Sequence, residues 1–527
     1  MQSVDQLKLE IEKSYVFEGG SILMGAAMLD GEVLTETMIR LPLKTLNRHG
    51  LIAGATGTGK TKTLQIMAEQ LSANGVPSLV MDLKGDLSGL AVEGERHEKI
   101  DERHRKIGFP FLPDSSPIEF LSLSDEPGIQ LRATVAEFGP ILLSKILDLS
   151  DTQAGILAVV FKYCVDNNLL LLDLQDLKKV LNFVIGDGKD EVAEEYGKMS
   201  STSVGTIIRK IVALEHQGAE IFFGERSFDP QDLLRMDENG KGIISILRLT
   251  DIQHKPILFS TFMLQLLAEI YSTFPEEGDD GRPKLALFID EAHLVFNQAS
   301  DVLINQIEII VKLIRSKGVG IFFITQNPAD IPDAVLGQLG LKVQHALRAF
   351  TAKDRKAIKL AAQNYPLSDY YDVEELLTSL GIGEAFITGL DEQGIPTALA
   401  HTYLRAPMSR MDILSQEEID AIISQSKLTA KYSEQIDRES AYEILSAKMI
   451  AMQEDAEAEA MRIEEEKAKA SKAKSKSKSS SKSKSGSGGL GRAVKSDFAA
   501  KATKALLGTI GIKATQRDIK KVFSKLF

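Results

Sequence analysis

One cysteine, Cys164 in FKYCVDNN, is all that this chain of 527 residues contains. A single thiol excludes an intrachain disulfide and a cysteine-based metal cage, and it reads as a buried free thiol, not a catalytic one. Long hydrophobic runs are missing as well. None approaches the roughly 18 residues that a membrane-spanning helix needs. The opening MQSVDQLKLEIEKSY mixes charges with apolar residues, where a signal peptide would have an apolar core. The expectation is a cytoplasmic protein with no membrane contact. Basic charge is scarce over most of the chain. Its formal net charge is −12, yet residues 467–527 hold 17 Lys and Arg against 2 acidic residues, a net +15 that leaves −27 on the first 466. With 43% hydrophobic and 26% charged residues, there is enough apolar material for a large globular core plus one or two further modules.

What is present begins with RHGLIAGATGTGKTKT at residues 48–63. Gly54, Ala55, Thr56, Gly57, Thr58, Gly59, Lys60 and Thr61 fit G-x-x-x-x-G-K-[ST], between an apolar strand (Leu51, Ile52, Ala53) and a helical pattern (Leu64, Ile66, Met67, Leu71). That context makes the run a P-loop, which with Lys62 forms the candidate phosphate cradle. The glycines let backbone N–H groups approach phosphate oxygens, and the following helix turns its positive end toward them. Lys60 is the residue expected at the β- and γ-phosphates of ATP, and Thr61 the hydroxyl ligand of Mg²⁺. GTP is disfavoured, because no [NT]KxD guanine motif occurs.

The pattern along the chain alternates strands with helices over some 350 residues, which argues an α/β fold with a mostly parallel, doubly wound sheet. Residues 1–46 read as a small N-terminal β element, a hairpin about Asp30-Gly31. Residues 47–410 read as the ATPase core. Within it, GVPSLVMDLKGDLSG holds a buried strand ending in Asp82, Lys84 and Asp86, and helical spacing over about 138–200 marks an α-helical insertion. Residues 411–466 read as C-terminal helices. KAKSKSKSSSKSKSGSGG, within 467–489, has no apolar residue to bury and reads as a flexible Lys/Ser-rich linker, and 490–527 as a basic amphipathic ending. The eight lysines from Lys467 to Lys484 have no aromatic among them, so they can neutralise phosphates but cannot stack on bases.

A P-loop also needs a metal-side carboxylate and a group that orients water. LALFIDEAH supplies both: Asp290, at the end of an apolar strand, for the Mg²⁺ shell, and Glu291 as general base. Gln326 ends the strand of GIFFITQNP, in the crevice where a γ-phosphate would lie, and is the candidate sensor. Asp290 to His293 spell DEAH, but the Q-x-x-G-R-x-G-R motif of superfamily 2 helicases of that name is absent.

With GATGTGKT, the helical insertion, FIDEAH and FITQNP in this order, the chain resembles the bacterial HerA-like members of the HerA–FtsK superfamily of P-loop ATPases, from about residue 20 to 410. The resemblance implies a RecA-like core, a hexameric ring that pumps double-stranded DNA as a translocase or helicase, and a protein partner such as a nuclease. It also implies that an arginine of a neighbouring subunit completes each site. Arg348, in HALRAF, suits a sensor arginine, and Arg209, in TSVGTIIRKIVALEHQG, is the candidate for the finger acting across the boundary; an ordinary surface arginine is the alternative for both. The acidic body keeps a second reading open, an ATPase module that remodels a protein partner without tracking DNA.

Overall fold

Short runs of branched and aromatic residues bounded by glycine and polar breakers form the strands of this protein, and almost every residue in the central ones is buried. The computed structural model describes residues 2–478 except 252–254, 277–280, 298–300, 350, 435 and 437. In chain order the strands are β1 (Ser21–Leu29), β2 (Glu32–Pro42), β3 (Gly50–Ala53), β4 (Ser78–Asp82), β5 (Ile118–Ser122) and β6 (Ile129–Gln130). They continue with β7 (Ile244–Arg248), β8 (Leu285–Ile289), β9 (Val319–Thr325), β10 (Leu341–Gln344), β11 (Glu384–Thr388) and β12 (Ala400–Leu404). All lie in a sheet of order β2-β1-β12-β11-β10-β3-β9-β8-β4-β7-β5-β6. From β10 to β6 every pairing is parallel, and from β2 to β10 every pairing is antiparallel. The fold is thus the α/β, mostly parallel P-loop architecture that the sequence pattern implies.

Alternation along the central strands divides the apolar residues between two cores. Leu51 and Ala53, Leu79 and Met81, and Leu285, Leu287 and Ile289 face one core, whereas Ile52, Val80, Ala286 and Phe288 face the other. A parallel strand covered on both faces has to be apolar throughout, which is why these runs lack polar alternation. The helix Lys60–Ala73 belongs to the second core, through Leu64, Met67 and Leu71, and the insertion helices to the first.

The N-terminal hairpin turns at Asp30 and Gly31, both with positive φ, as the Asp-Gly pair predicts. Residues 1–46 are not all β, however: Gln2–Tyr15 form a helix ahead of the hairpin, and the hairpin itself does not stand apart. Gly25 to Ala27 pair with Thr402 to Leu404 of β12, so the hairpin extends the same sheet at its antiparallel edge. The helical insertion runs from Val135 to Phe222, wider than the span read from sequence. Its helices begin at local signals: Thr134 with Glu137, Ser150 with Gln153 and Asp173 with Asp176 each close a capping box. Towards the C-terminus come helices Gln416–Gln425, Lys427–Tyr432 and Ala441–Lys478. The chain divides into two compact units at Ile450 and Ala451, and the described part of the second is the rest of that last helix. The helix continues through the first part of the Lys/Ser-rich segment, where alanine and lysine are strong helix formers and Lys469 pairs with Glu465 at 3.6 Å. The rest of the segment read as linker and the amphipathic ending lie outside the described residues. Among the described residues no helix is long and apolar enough to cross a membrane.

Backbone approaches closely at one glycine of β9. A Cβ on Gly320 would lie 2.2 Å from the Leu46 carbonyl oxygen, which backbone cannot yield cheaply. Gly320→Ala should therefore cost about 1–3 kcal/mol by overpacking and lower the midpoint of thermal unfolding. An unchanged midpoint would mean that the turn at Leu46 moves freely.

Candidate nucleotide and metal site

The P-loop follows β3, and its conformation explains its glycines. Gly54, Gly57 and Gly59 adopt φ of 154°, 78° and 115°, values that side chains disfavour. At Gly54 a Cβ would also lie 2.5 Å from Cβ of His345. The helix starting at Lys60 has no side-chain cap, so its first N–H groups point into the loop. Lys60 is 6% exposed, and its ammonium donates to the carbonyls of Gly54 at 2.7 Å and Ala55 at 3.2 Å. Burial, and then the charge of Lys84, lowers its affinity for the proton. Lys62 turns the other way, its ammonium donating to Gln65 and to the Met411 carbonyl at 2.6 Å.

The carboxylates come from strands β8 and β4, which are neighbours. Asp290 and Glu291 follow β8, Asp290 only 3% exposed and Glu291 in the left-handed region at φ 46°. Burial pushes the Asp290 carboxyl up to about 6, although Lys84 lies 3.6 Å away and opposes the shift. Burial acts on Glu291 in the same sense, but there Lys84, whose Nζ is 2.6 Å from Oε1, together with His293 and Lys60 outweighs it and holds the carboxyl below its usual range. His293 Nδ1 stands 3.2 Å from the other Glu291 oxygen.

Lys84 is set in place by Asp82 at the end of β4. Asp82 Oδ1 accepts the N–H groups of Lys84, Gly85 and Asp86, and Oδ2 accepts that of Leu87, so one buried carboxylate shapes the whole DLKGD loop. Asp86 is thereby brought to the first turn of the P-loop helix, where the Thr61 hydroxyl donates to its Oδ2 at 3.3 Å. Among the described residues nothing hydrogen-bonds to Asp290 Oδ2 or Asp86 Oδ1, both buried oxygens. With the Thr61 hydroxyl they are hard oxygen donors of the kind Mg²⁺ takes. No group of three or more His, Cys, Asp or Glu among the described residues could hold a metal by itself. Mg²⁺ needs no such cage, because it binds through one or two carboxylates together with phosphates and water.

Gln326 and Arg348 meet at a cleft of about 450 Å³ whose wall includes Ala55 and Thr56 of the P-loop, with Asn327 and Asp354 beside them. Both side chains are exposed. Arg209 is not among the cleft residues: it lies on the exposed face of helix Ser201–Glu215, its guanidinium donating to Thr206 at 2.8 Å. Lys60 and Thr61 are thus gathered with Asp290 and Glu291, Gln326 and Arg348 lie at the side of the loop, and Arg209 is not among the cleft residues.

A family description, helicase HerA-like C-terminal, matches residues 28–524. The chain belongs to that family. It is similar to the DNA double-strand break repair helicase HerA of Sulfurisphaera tokodaii, with 23% identity over 381 residues, 72% of this chain and 68% of that one. The protein of the same name from Sulfolobus acidocaldarius is 23% identical over 405 residues, 73% and 70% of the two chains. Among solved structures, the unbound monoclinic form of the bacterial conjugative coupling protein TrwBdeltaN70 has the same fold, with a TM-score of 0.50 and 14% identity over 77% of this chain and 95% of that one. Family and fold together make the chain a P-loop ATP-driven motor of the HerA-like helicase class.

Several site residues carry no assignable role in the sequence alone. Lys84 and Asp86 are visible there as a polar strand end, and the rule that ligands gather at the carboxyl ends of parallel strands is the signal that could have assigned them. His345 gives no such signal. It is fully buried after β10, its Nε2 2.8 Å from the Thr63 hydroxyl, and burial followed by the charge of Lys60 lowers its pKa to about 4. A neutral imidazole therefore packs under the P-loop. Gly383 donates to the Thr58 carbonyl at 3.2 Å, and Arg103 holds that loop by donating to the carbonyls of Ile382, Gly383 and Leu404.

Proposed function

We propose that this HerA-like chain hydrolyses ATP with Mg²⁺ and uses the cycle to move double-stranded DNA, as a homo-oligomeric, hexameric ring. The observation that carries the catalytic part is the gathering of Lys60, Thr61, Asp290 and Glu291 at the carboxyl ends of β3 and β8, with Lys84 between the two carboxylates. In this reading Lys60 and the N–H groups of residues 54–62 hold the triphosphate. Thr61 and Asp290 would hold Mg²⁺, with Asp86 beside them; bound there, the ion neutralises phosphate charge as it moves to the leaving oxygen. Glu291 takes a proton from the water whose oxygen bonds to the γ-phosphorus, and the bond to ADP breaks. Gln326 senses the γ-phosphate and Arg348 lies on the same side. Arg209, which is not among the residues of the cleft beside its own P-loop, is assigned to the site of the next subunit.

The family and the relatives named as DNA repair helicases support the choice of DNA. A protein-remodelling ATPase is the second reading, favoured by the −27 carried by the first 466 residues. ATPase rates with and without duplex DNA at two salt concentrations separate them. Stimulation that weakens as salt rises is expected of the motor, since phosphate contacts release counterions. No stimulation at low salt would favour the protein partner.

A further inference from the structure

A second cleft, of about 590 Å³, lies at the opposite end of the sheet from the P-loop. Arg48 and His49 on its wall lead into β3 and Gly340 into β10, whereas the P-loop leaves β3 at its far end. The four-residue strand puts about 13 Å between the two, so this cleft is no part of the nucleotide site.

Its charge is what sets it apart. Among the described residues Arg48, Lys312, Arg315 and Lys342 line it, and no aspartate or glutamate does. On a body carrying −27, a concave surface with four cations and no acid is a local reversal of sign, and a cleft focuses such a field. Among the described residues Arg48, Lys312 and Lys342 enter no ion pair; Lys342 donates one hydrogen bond, to the Asn364 carbonyl at 3.0 Å, and keeps two N–H groups for a ligand.

Two of the cations have an ordinary explanation. Lys312 and Arg315 stand at the C-terminal end of helix Asp301–Ile314, where positive charge suits the helix dipole. That does not account for Arg48, which precedes β3, or Lys342, in β10. The elements are also fastened to each other. His49 sits in the left-handed region at φ 59°, its Nε2 2.8 Å from the Val311 carbonyl and its Nδ1 accepting the Ile321 N–H at 3.0 Å. Those partners require a neutral ring with the proton on Nε2, and burial lowers its pKa to about 4. The histidine thus ties Arg48 to the helix that carries Lys312. The aromatic on the wall, Tyr365, is buried and its hydroxyl donates to Gln344, so it offers no face for a base to stack on.

We propose that this cleft binds phosphate groups without reading bases, and that in the intact protein they are backbone phosphates of duplex DNA. The DNA half rests on the motor reading above; the phosphate half does not. The test uses the full chain with Lys312→Ala and Arg315→Ala combined, both exposed and outside the catalytic machinery, beside the charge-conserving pair Lys312→Arg and Arg315→Lys. Duplex affinity is measured by fluorescence anisotropy across a salt series. Binding of inorganic tripolyphosphate is measured by calorimetry with Lys60→Ala added, which silences the P-loop.

The alanine pair should flatten the slope of log affinity against log salt by about 2, since each lost phosphate contact removes about 0.9. It should also abolish tripolyphosphate binding and leave the DNA-free ATPase rate unchanged, while the charge-conserving pair behaves as wild type. Loss of tripolyphosphate binding with an unchanged DNA slope overturns the DNA half and makes free polyphosphate the ligand. Neither effect overturns the proposal and leaves the cations as caps of their helix. If the wild-type chain binds no duplex at all, the motor reading fails, and the tripolyphosphate arm alone decides the cleft.

Discussion

Glu291→Gln is expected to bind ATP and Mg²⁺ and yet turn over at least about a hundredfold more slowly than the wild type, the lower end of what a general base contributes. The substitution keeps size and hydrogen-bonding reach. It removes the negative charge that Lys84 meets at 2.6 Å and the lone pair that would take the proton. Asp290, Asp86 and Thr61 are untouched, so the metal side of the site stays intact. Single-turnover hydrolysis beside nucleotide binding separates the two functions. Unchanged turnover would remove Glu291 from the mechanism and turn attention to His293, 3.2 Å from it.

Lys60→Ala should show the second large effect, in binding. In the free protein Lys60 is a buried cation held by the Gly54 and Ala55 carbonyls, and burial disfavours its charge. Removing it should therefore change the stability of the free chain little. The wild type, by contrast, gains about 2.7 kcal/mol from ATP at a hundred times its dissociation constant, through mass action on the folded state. Thermal unfolding with and without Mg-ATP should show an upward shift in the wild type and none in Lys60→Ala at the same concentration. An equal shift in both would mean that triphosphate is held elsewhere than at residues 54–61.

Elements closed over a few consecutive residues are legible in the amino-acid sequence. The P-loop is one, because its glycines, lysine and threonine act within a single turn of chain. Asp290 and Glu291 are another, marked by an apolar strand and the acids that end it. The insertion is legible only in part. Helix Ser201–Glu215 buries Val204, Ile207, Ile211 and Leu214 at helical spacing, but its opening Ser, Thr and Gly are weak helix formers. Burial against neighbouring helices, and not propensity, is what makes it a helix.

The sequence by itself determined the chemistry on offer: a phosphate cradle, a strand-end acid pair, no thiol cage and a body of negative charge. Those properties reside in single residues and in neighbours along the chain, where covalent geometry and side-chain identity decide. Tertiary structure alone decided which groups meet. Lys84 reaches Glu291 because β4 and β8 are adjacent in the sheet, and His345 lies under Gly54 because β10 pairs with β3. The N-terminal hairpin joins the sheet because β1 finds β12, nearly the whole core away in sequence. The four cations of the second cleft come from three separate elements, and no spacing along the chain foretells them. Such meetings follow from strand order, which depends on the burial of both sheet faces together and is not written in any local stretch.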